Sequence, residues 1–295
     1  MKTFLGRYCF KLACWDWNET NFFEREEPFY EFRYALKELE HLESFTFQLS
    51  VNDQFEAFYS FLIKAIVASV QNIQVLSIIV STLNDQKKYS HQNFFDLGLV
   101  FEGISILSNL SSLQIESRGI RCLAFEDPNF IPEGCIFKEI KMDLQDGFVD
   151  FTKFRNIYSM ISIDVEVLVL SYTEFLENRD EFIAFFSKIR NMSKLRELSL
   201  QYEYDAFLDE EGLKIITRTL MALKFLKKAR IAFLKTQGEG FLVENAVNSL
   251  KYHPSLLSLS LEFPAFSVKK DQSDVVSSNV SQVPGDIKRK RLVYS

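Results

Sequence analysis

Leu195-Arg-Glu-Leu198-Ser-Leu200 and Leu256-Leu-Ser-Leu259-Ser-Leu261 share one pattern, apolar-x-x-apolar-x-apolar. The pattern returns at Leu110-Ser-Ser-Leu113-Gln-Ile115, Val165-Glu-Val-Leu168-Val-Leu170 and Ile73-Gln-Val-Leu76-Ser-Ile78. Weaker copies are Leu42-Glu-Ser-Phe45-Thr-Phe47, Phe137-Lys-Glu-Ile140-Lys-Met142, Leu226-Lys-Lys-Ala229-Arg-Ile231 and Leu5-Gly-Arg-Tyr8-Cys-Phe10. Successive copies start 37, 31, 37, 27, 28, 30, 31 and 30 residues apart, and the last five intervals are too even for chance. A period of this length marks stacked supersecondary units and overrides segment-by-segment assignment.

Between copies the apolar residues change to helical spacing. Phe182, Phe185, Phe186 and Ile189 share one helical face, as do Leu213, Ile216, Leu220 and Leu223, and again Leu242, Ala246, Val247 and Leu250. Residues 52–70 and 93–107 read as longer, more apolar helices. Each unit is therefore a short strand, a turn and a helix that returns to the next parallel strand. A closed barrel of such units buries its strands on both faces and writes them as continuous Val/Ile/Leu runs. Here the intervening residues are mostly polar, as in Ser112, Gln114 and Glu116, or Glu197, Ser199 and Gln201. One sheet face is wet, so the expected fold is α/β: an open, right-handed βα solenoid of eight or nine units.

These units resemble the leucine-rich-repeat superfamily, in its ribonuclease-inhibitor-like class, over roughly residues 5–263. The resemblance implies a horseshoe with a parallel concave sheet and a non-catalytic role in binding a protein partner. It also implies Asn, Cys, Thr or Ser eight residues after the first Leu, bonding neighbouring turns. That position holds Ala13, Ser50, Ser81, Arg118, Gln145, Thr173, Glu203, Leu234 and Pro264, so only three of nine fit. Abundant Phe, 30 residues in 295, supplies larger rings for the interior.

Composition narrows the function classes. A net charge of −6 gives the body no overall field for nucleic acid or an anionic membrane. Cys9, Cys14, Cys122 and Cys135 have neither zinc-finger spacing nor disulfide-framework density, and with three histidines a His/Cys metal site is not expected. Arg7 and Lys11 interrupt any signal-peptide apolar core, and the most apolar window, residues 55–70, carries Glu56 and Lys64. A cytoplasmic chain with reduced thiols is expected. Residues 1–266 are assigned to the solenoid. Residues 267–295 read as a disordered polar tail with the basic run Lys288-Arg-Lys-Arg291, either a nuclear-import signal or a solubilising charge run.

Three insertions break the period. Residues 13–28 hold Trp15 and Trp17, open to two roles: capping the first strand, or an aromatic anchor for a partner. Residues 80–92 read as a solvated loop. Residues 118–135, with Asp127-Pro-Asn-Phe-Ile-Pro132, cannot be a regular helix and read as an irregular return.

No phosphate loop, nucleophile elbow or His-Glu-x-x-His pair occurs, and no catalytic residue, metal site or cofactor is assigned. His41, His91 and His253 read as surface or turn residues. An alternative to the scaffold is a regulator of an enzyme partner, since the same repeat class includes activators of small GTPases. That group carries an acidic C-terminal tail, whereas this one is basic. An F-box-type receptor is not expected, because repeats starting near Leu5 leave no room for its adaptor module. The third, fifth and seventh positions of each unit define the concave face. On it Glu139, Lys141, Asp143, Glu197, Gln201, Lys228 and Arg230 are the candidate partner-binding residues, beside the apolar pairs Val75/Ile79 and Val167/Val169.

Overall fold

The computed structural model describes residues 6–14, 33–38, 42–51, 57–70, 72–82, 94–118, 120–123, 137–144, 161–172, 179–202, 209–233 and 248–262. The tail, the tryptophan pair, the 83–92 part of the loop, His41 and His91 lie outside them. The elements run β1 (Gly6–Cys14), β2 (Leu42–Val51), α1 (Ala57–Val67), β3 (Val75–Thr82), β4 (Phe94–Asp96), α2 (Leu97–Ile104), β5 (Ser112–Arg118) and β6 (Arg121–Leu123). After these come β7 (Glu139–Leu144), β8 (Val167–Tyr172), α3 (Arg179–Arg190), β9 (Glu197–Tyr202), α4 (Glu210–Ala222), β10 (Lys228–Phe233) and β11 (Ser258–Glu262). Nine strands form one open sheet in the order β1-β2-β3-β5-β7-β8-β9-β10-β11, and every neighbouring pair is parallel. Strand order follows chain order.

The register is that of the repeat. Phe45 pairs with Leu76, Leu76 with Leu113, and the row continues through Ile140, Leu168, Leu198, Ala229 and Leu259. A second row runs Phe47, Ile78, Ile115, Met142, Leu170, Leu200, Ile231 and Leu261. Every residue of both rows is buried and joins a single core with the inward faces of the helices. Alternation of period two puts these side chains on one face of each strand, so the core lies between that face and the helical layer.

Each unit is also latched to its predecessor at the start of its strand. The Gln74 carbonyl accepts from the Ser111 and Ser112 N–H groups at 2.9 and 3.0 Å. Ser111, Lys138, Glu166, Arg196 and Lys227 repeat the arrangement, each carbonyl taking two N–H groups of the following unit. Two lone pairs thus serve two donors, leaving no orphan at the turn.

The helices pack by size matching. Phe186, fully buried, lies 4.7 Å from the Phe182 ring and 5.4 Å, edge-on, from that of Phe185. Its carbonyl accepts the buried Thr219 hydroxyl of α4 at 3.4 Å. Asp209 caps α4 by accepting the Gly212 N–H at 2.8 Å and forms a two-armed pair with Arg179 at 2.7 and 3.0 Å. The Arg179 hydrogen bond, outweighing partial burial, holds the Asp209 carboxyl down to about 2. Between α1 and α2, a Cβ on Gly103 would stand 2.8 Å from the Lys64 carbonyl, so glycine sets how closely these helices approach.

Two expectations need correction. Residues 93–107 are not helical throughout: Phe94–Asp96 is a strand, and Asp96 then caps α2 by accepting the Leu99 N–H at 3.2 Å. The 118–135 segment begins with a second strand, β6, which pairs in parallel with β4 as a separate two-stranded sheet. The cause lies at Ser117, which occupies a row held by Val80 and Leu144 in the flanking strands. Its buried hydroxyl donates to the Ile120 carbonyl at 2.8 Å, closing a turn that turns the chain out of the main sheet. Residues 124–136 lie outside the described ones, as do 241–247 of the predicted last helix.

Candidate functional site

The strand register carries the other face as well. One row reads Ser44, Val75, Ser112, Glu139, Val167, Glu197, Lys228 and Ser258; the next Thr46, Ser77, Gln114, Lys141, Val169, Ser199, Arg230 and Ser260. A third reads Gln48, Ile79, Glu116, Asp143, Ser171, Gln201, Ala232 and Glu262. All seven predicted sheet residues lie in these rows: Glu139, Lys141 and Asp143 on β7, Glu197 and Gln201 on β9, Lys228 and Arg230 on β10.

Their charges are largely spent on one another. Glu139 pairs with Lys141 two residues along the strand and accepts the Ser112 hydroxyl at 3.0 Å. Burial works against the Glu139 charge, but the two hydrogen bonds and the Lys141 charge together outweigh it and hold its carboxyl below the ordinary range. Glu197 meets Lys228 across β9 and β10 at 3.2 Å. Arg230 grips Glu262 across β10 and β11 with two bonds of 2.9 and 3.0 Å, and Ser260 adds a third to the same carboxylate at 2.9 Å. That geometry raises the Arg230 pKa and lowers that of Glu262. A partner approaching this face meets paired side chains and hydroxyls rather than a single-signed field.

The face is less uniformly open than the alternation predicts. Ala232 is buried because its methyl lies below the level of the flanking Gln201 and Glu262. Glu116, between Ile79 and Asp143 and paired with Arg118, is buried too. Of the apolar pairs, Val75 is exposed, whereas Ile79, Val167 and Val169 are half-buried.

His253 stands in a turn, one of the two places expected for it, and is buried there. Its Nδ1 accepts the Ser255 and Leu256 N–H groups at 3.3 and 3.1 Å, which places the proton on Nε2, 3.0 Å from the Leu220 carbonyl. Three residues before its pattern it takes the place held by Val70, Leu107, Met192 and Leu223 in other units, all buried. It is a turn plug, not a base. His253→Ala is expected to lower stability by about 2–4 kcal/mol by leaving a void and unpaired backbone groups. By urea unfolding, His253→Leu should lose distinctly less than His253→Ala. Equal losses would show that the ring hydrogen bonds, and not the filled turn, hold this unit.

What the sequence reading missed on this molecule are the exposed apolar side chains of the turns, above all Phe225, Tyr252 and Leu257. Aligning the units on their turns, and not only on their strands, would have found them. Among the described residues no cluster of three or more His, Cys, Asp or Glu could hold a metal ion. No described helix is long and apolar enough to cross a membrane.

No protein-family model matches the chain, and no curated protein does. Among solved structures it is similar to a structural-genomics protein of Bacteroides fragilis, at 15% identity and a TM-score of 0.43. The match covers 72% of this chain and 65% of that one, so the likeness spans just under two thirds of the bacterial protein.

Proposed function

We propose that this chain is a leucine-rich-repeat-type horseshoe acting as a non-catalytic scaffold or adaptor, which binds a protein partner on the outward face of its sheet. The observation that carries the reading is the three straight rows of mostly polar side chains across eight strands, in register with two rows of core. Stacked units expose such a face as a long surface without a pocket, which suits a protein rather than a small molecule. Because its ion pairs are partly exposed, each adds little to stability and can be exchanged for contacts with a partner. The charged centre around Glu139, Lys141 and Asp143 would set orientation, and Val75 would supply apolar contact.

The triple variant Glu139→Lys/Asp143→Lys/Glu197→Lys tests it. With a partner identified by affinity capture, the variant is expected to lose at least about tenfold in affinity, each buried or half-buried reversal costing about 1 kcal/mol or more. Undiminished binding by a variant that keeps its circular dichroism spectrum would exclude this face.

A further inference from the structure

The turns that precede β10 and β11 hold three large apolar side chains in water: Phe225 is 62%, Tyr252 85% and Leu257 62% exposed. The two turns are joined, and Tyr252 lies in the second of them. The Ser255 hydroxyl donates to the carbonyls of Lys224 and Leu226, on either side of Phe225, at 2.7 and 2.9 Å. The Leu257 N–H donates to the Lys227 carbonyl at 2.8 Å. At the position of Leu257 the earlier units carry Glu43, Gln74, Ser111, Lys138, Glu166, Arg196 and Lys227. At the position of Phe225 those from β2 onward carry His41, Asn72, Asn109, Ile136, Asp164 and Lys194, one apolar residue among six. Earlier turns also expose single apolar side chains, Ile106 at 51% and Ile163 at 57%, but the last two turns gather three, two of them aromatic.

Charge changes at the same point. One unit earlier the edge is neutralised: Lys194 pairs with Asp164 at 2.7 Å and Arg196 with Glu166 at 3.5 Å. The next steps of that ladder put Lys227 beside Arg196 and then Leu257 beside Lys227, with no acid at either. Lys224 and Lys227 are exposed and form no ion pair among the described residues. Among the described residues, then, cations without an ion-pair partner flank exposed rings and a leucine.

We infer that this edge, built from Lys224, Phe225, Lys227, Tyr252 and Leu257, is a docking site for a short acidic segment of a protein partner that also carries leucine or aromatic side chains. The inference rests on the scaffold reading above and adds a second surface to it. A short peptide senses charge mainly within a Debye length of about 8 Å, and the edge itself supplies Lys224 and Lys227. An extended polyanion or an anionic bilayer would also meet the rest of a chain whose net charge is −6.

A library of random twelve-residue peptides displayed on phage, panned on the full chain, tests the inference. The selected peptides are expected to be enriched in Asp and Glu together with Leu, Phe or Trp, and to bind more weakly as salt rises. The exposed double variant Lys224→Glu/Phe225→Ser should weaken the selected peptides at least about tenfold without changing the urea midpoint. Binders without acidic residues, binders indifferent to the double variant, no binders at all, or tighter binding of a twelve-nucleotide single strand or of phosphatidylserine vesicles would each overturn it. The sheet-face triple variant separates the two surfaces. Peptide binding lost with the edge variant and kept with the triple variant supports the edge. A partner lost only by the triple variant keeps the scaffold reading and removes this one.

Discussion

Phe186→Ala is expected to lower the stability of the folded chain by about 3–5 kcal/mol. The side chain is fully buried and packs, tilted and edge-on, against Phe182 and Phe185 within one helix. Removing the ring forfeits its transfer from water, leaves a cavity that two rigid neighbours cannot fill, and ends two aromatic contacts. It also loosens the seat of Thr219, whose hydroxyl bonds the Phe186 carbonyl from α4. Phe186→Leu should lose much less, because it keeps most of the volume. Urea unfolding of the three proteins reads the effect, and a midpoint for the alanine variant equal to that of the wild type would contradict the packing described.

Leu198→Ala should cost on the order of 2–5 kcal/mol, whereas Ser199→Ala, one residue on, should change stability by less than about 0.5 kcal/mol. Leu198 is fully buried between Leu168 and Ala229 in the sheet, and Ser199 lies between Val169 and Arg230 on the opposite face. A one-residue slip exchanges the two faces. The pair of variants therefore reads the register directly: comparable losses for both would mean that the alternation is misplaced.

That register was legible because the pattern is short, periodic and set by burial. Leu76, Leu113, Ile140, Leu168 and Leu198 fall in one paired row, as their spacing in the sequence requires. Helices α3 and α4 were legible for the same reason, through Phe182 to Ile189 and Leu213 to Leu220. Strand β4 was not. Phe94 and Phe95 precede an apolar helix without a break in hydrophobicity, and only the Asp96 cap marks the boundary. The departure at β5 depends on a single hydroxyl, Ser117, whose partner three residues on cannot be read from polarity alone.

A longer motif was present and went unread. Ile189, Met192 and Leu195 lead by steps of three into Leu198, and Leu220, Leu223 and Leu226 lead likewise into Ala229. Leu250, His253 and Leu256 repeat those steps, which is why a histidine is buried there. On the sheet face the residue set was legible but its neutralisation was not, since Glu197 with Lys228 and Arg230 with Glu262 are joined only by strand pairing. Side-chain height was equally hidden: Ala232 alternates outward yet is enclosed by longer neighbours.

The carbonyl ladder that latches each unit to the next is made of main-chain atoms alone. Its members are Gln74, Ser111, Lys138, Glu166, Arg196 and Lys227, a set with no common side chain. The bond is therefore indifferent to which residue bears it, and selection on folding does not hold the side chains of that edge to any one type. Drift there costs the fold nothing at the latch. A recognition surface can be rewritten along it one unit at a time, as acid–base pairs in one turn and as lysines beside bare rings in the next, while the stack beneath stays the same.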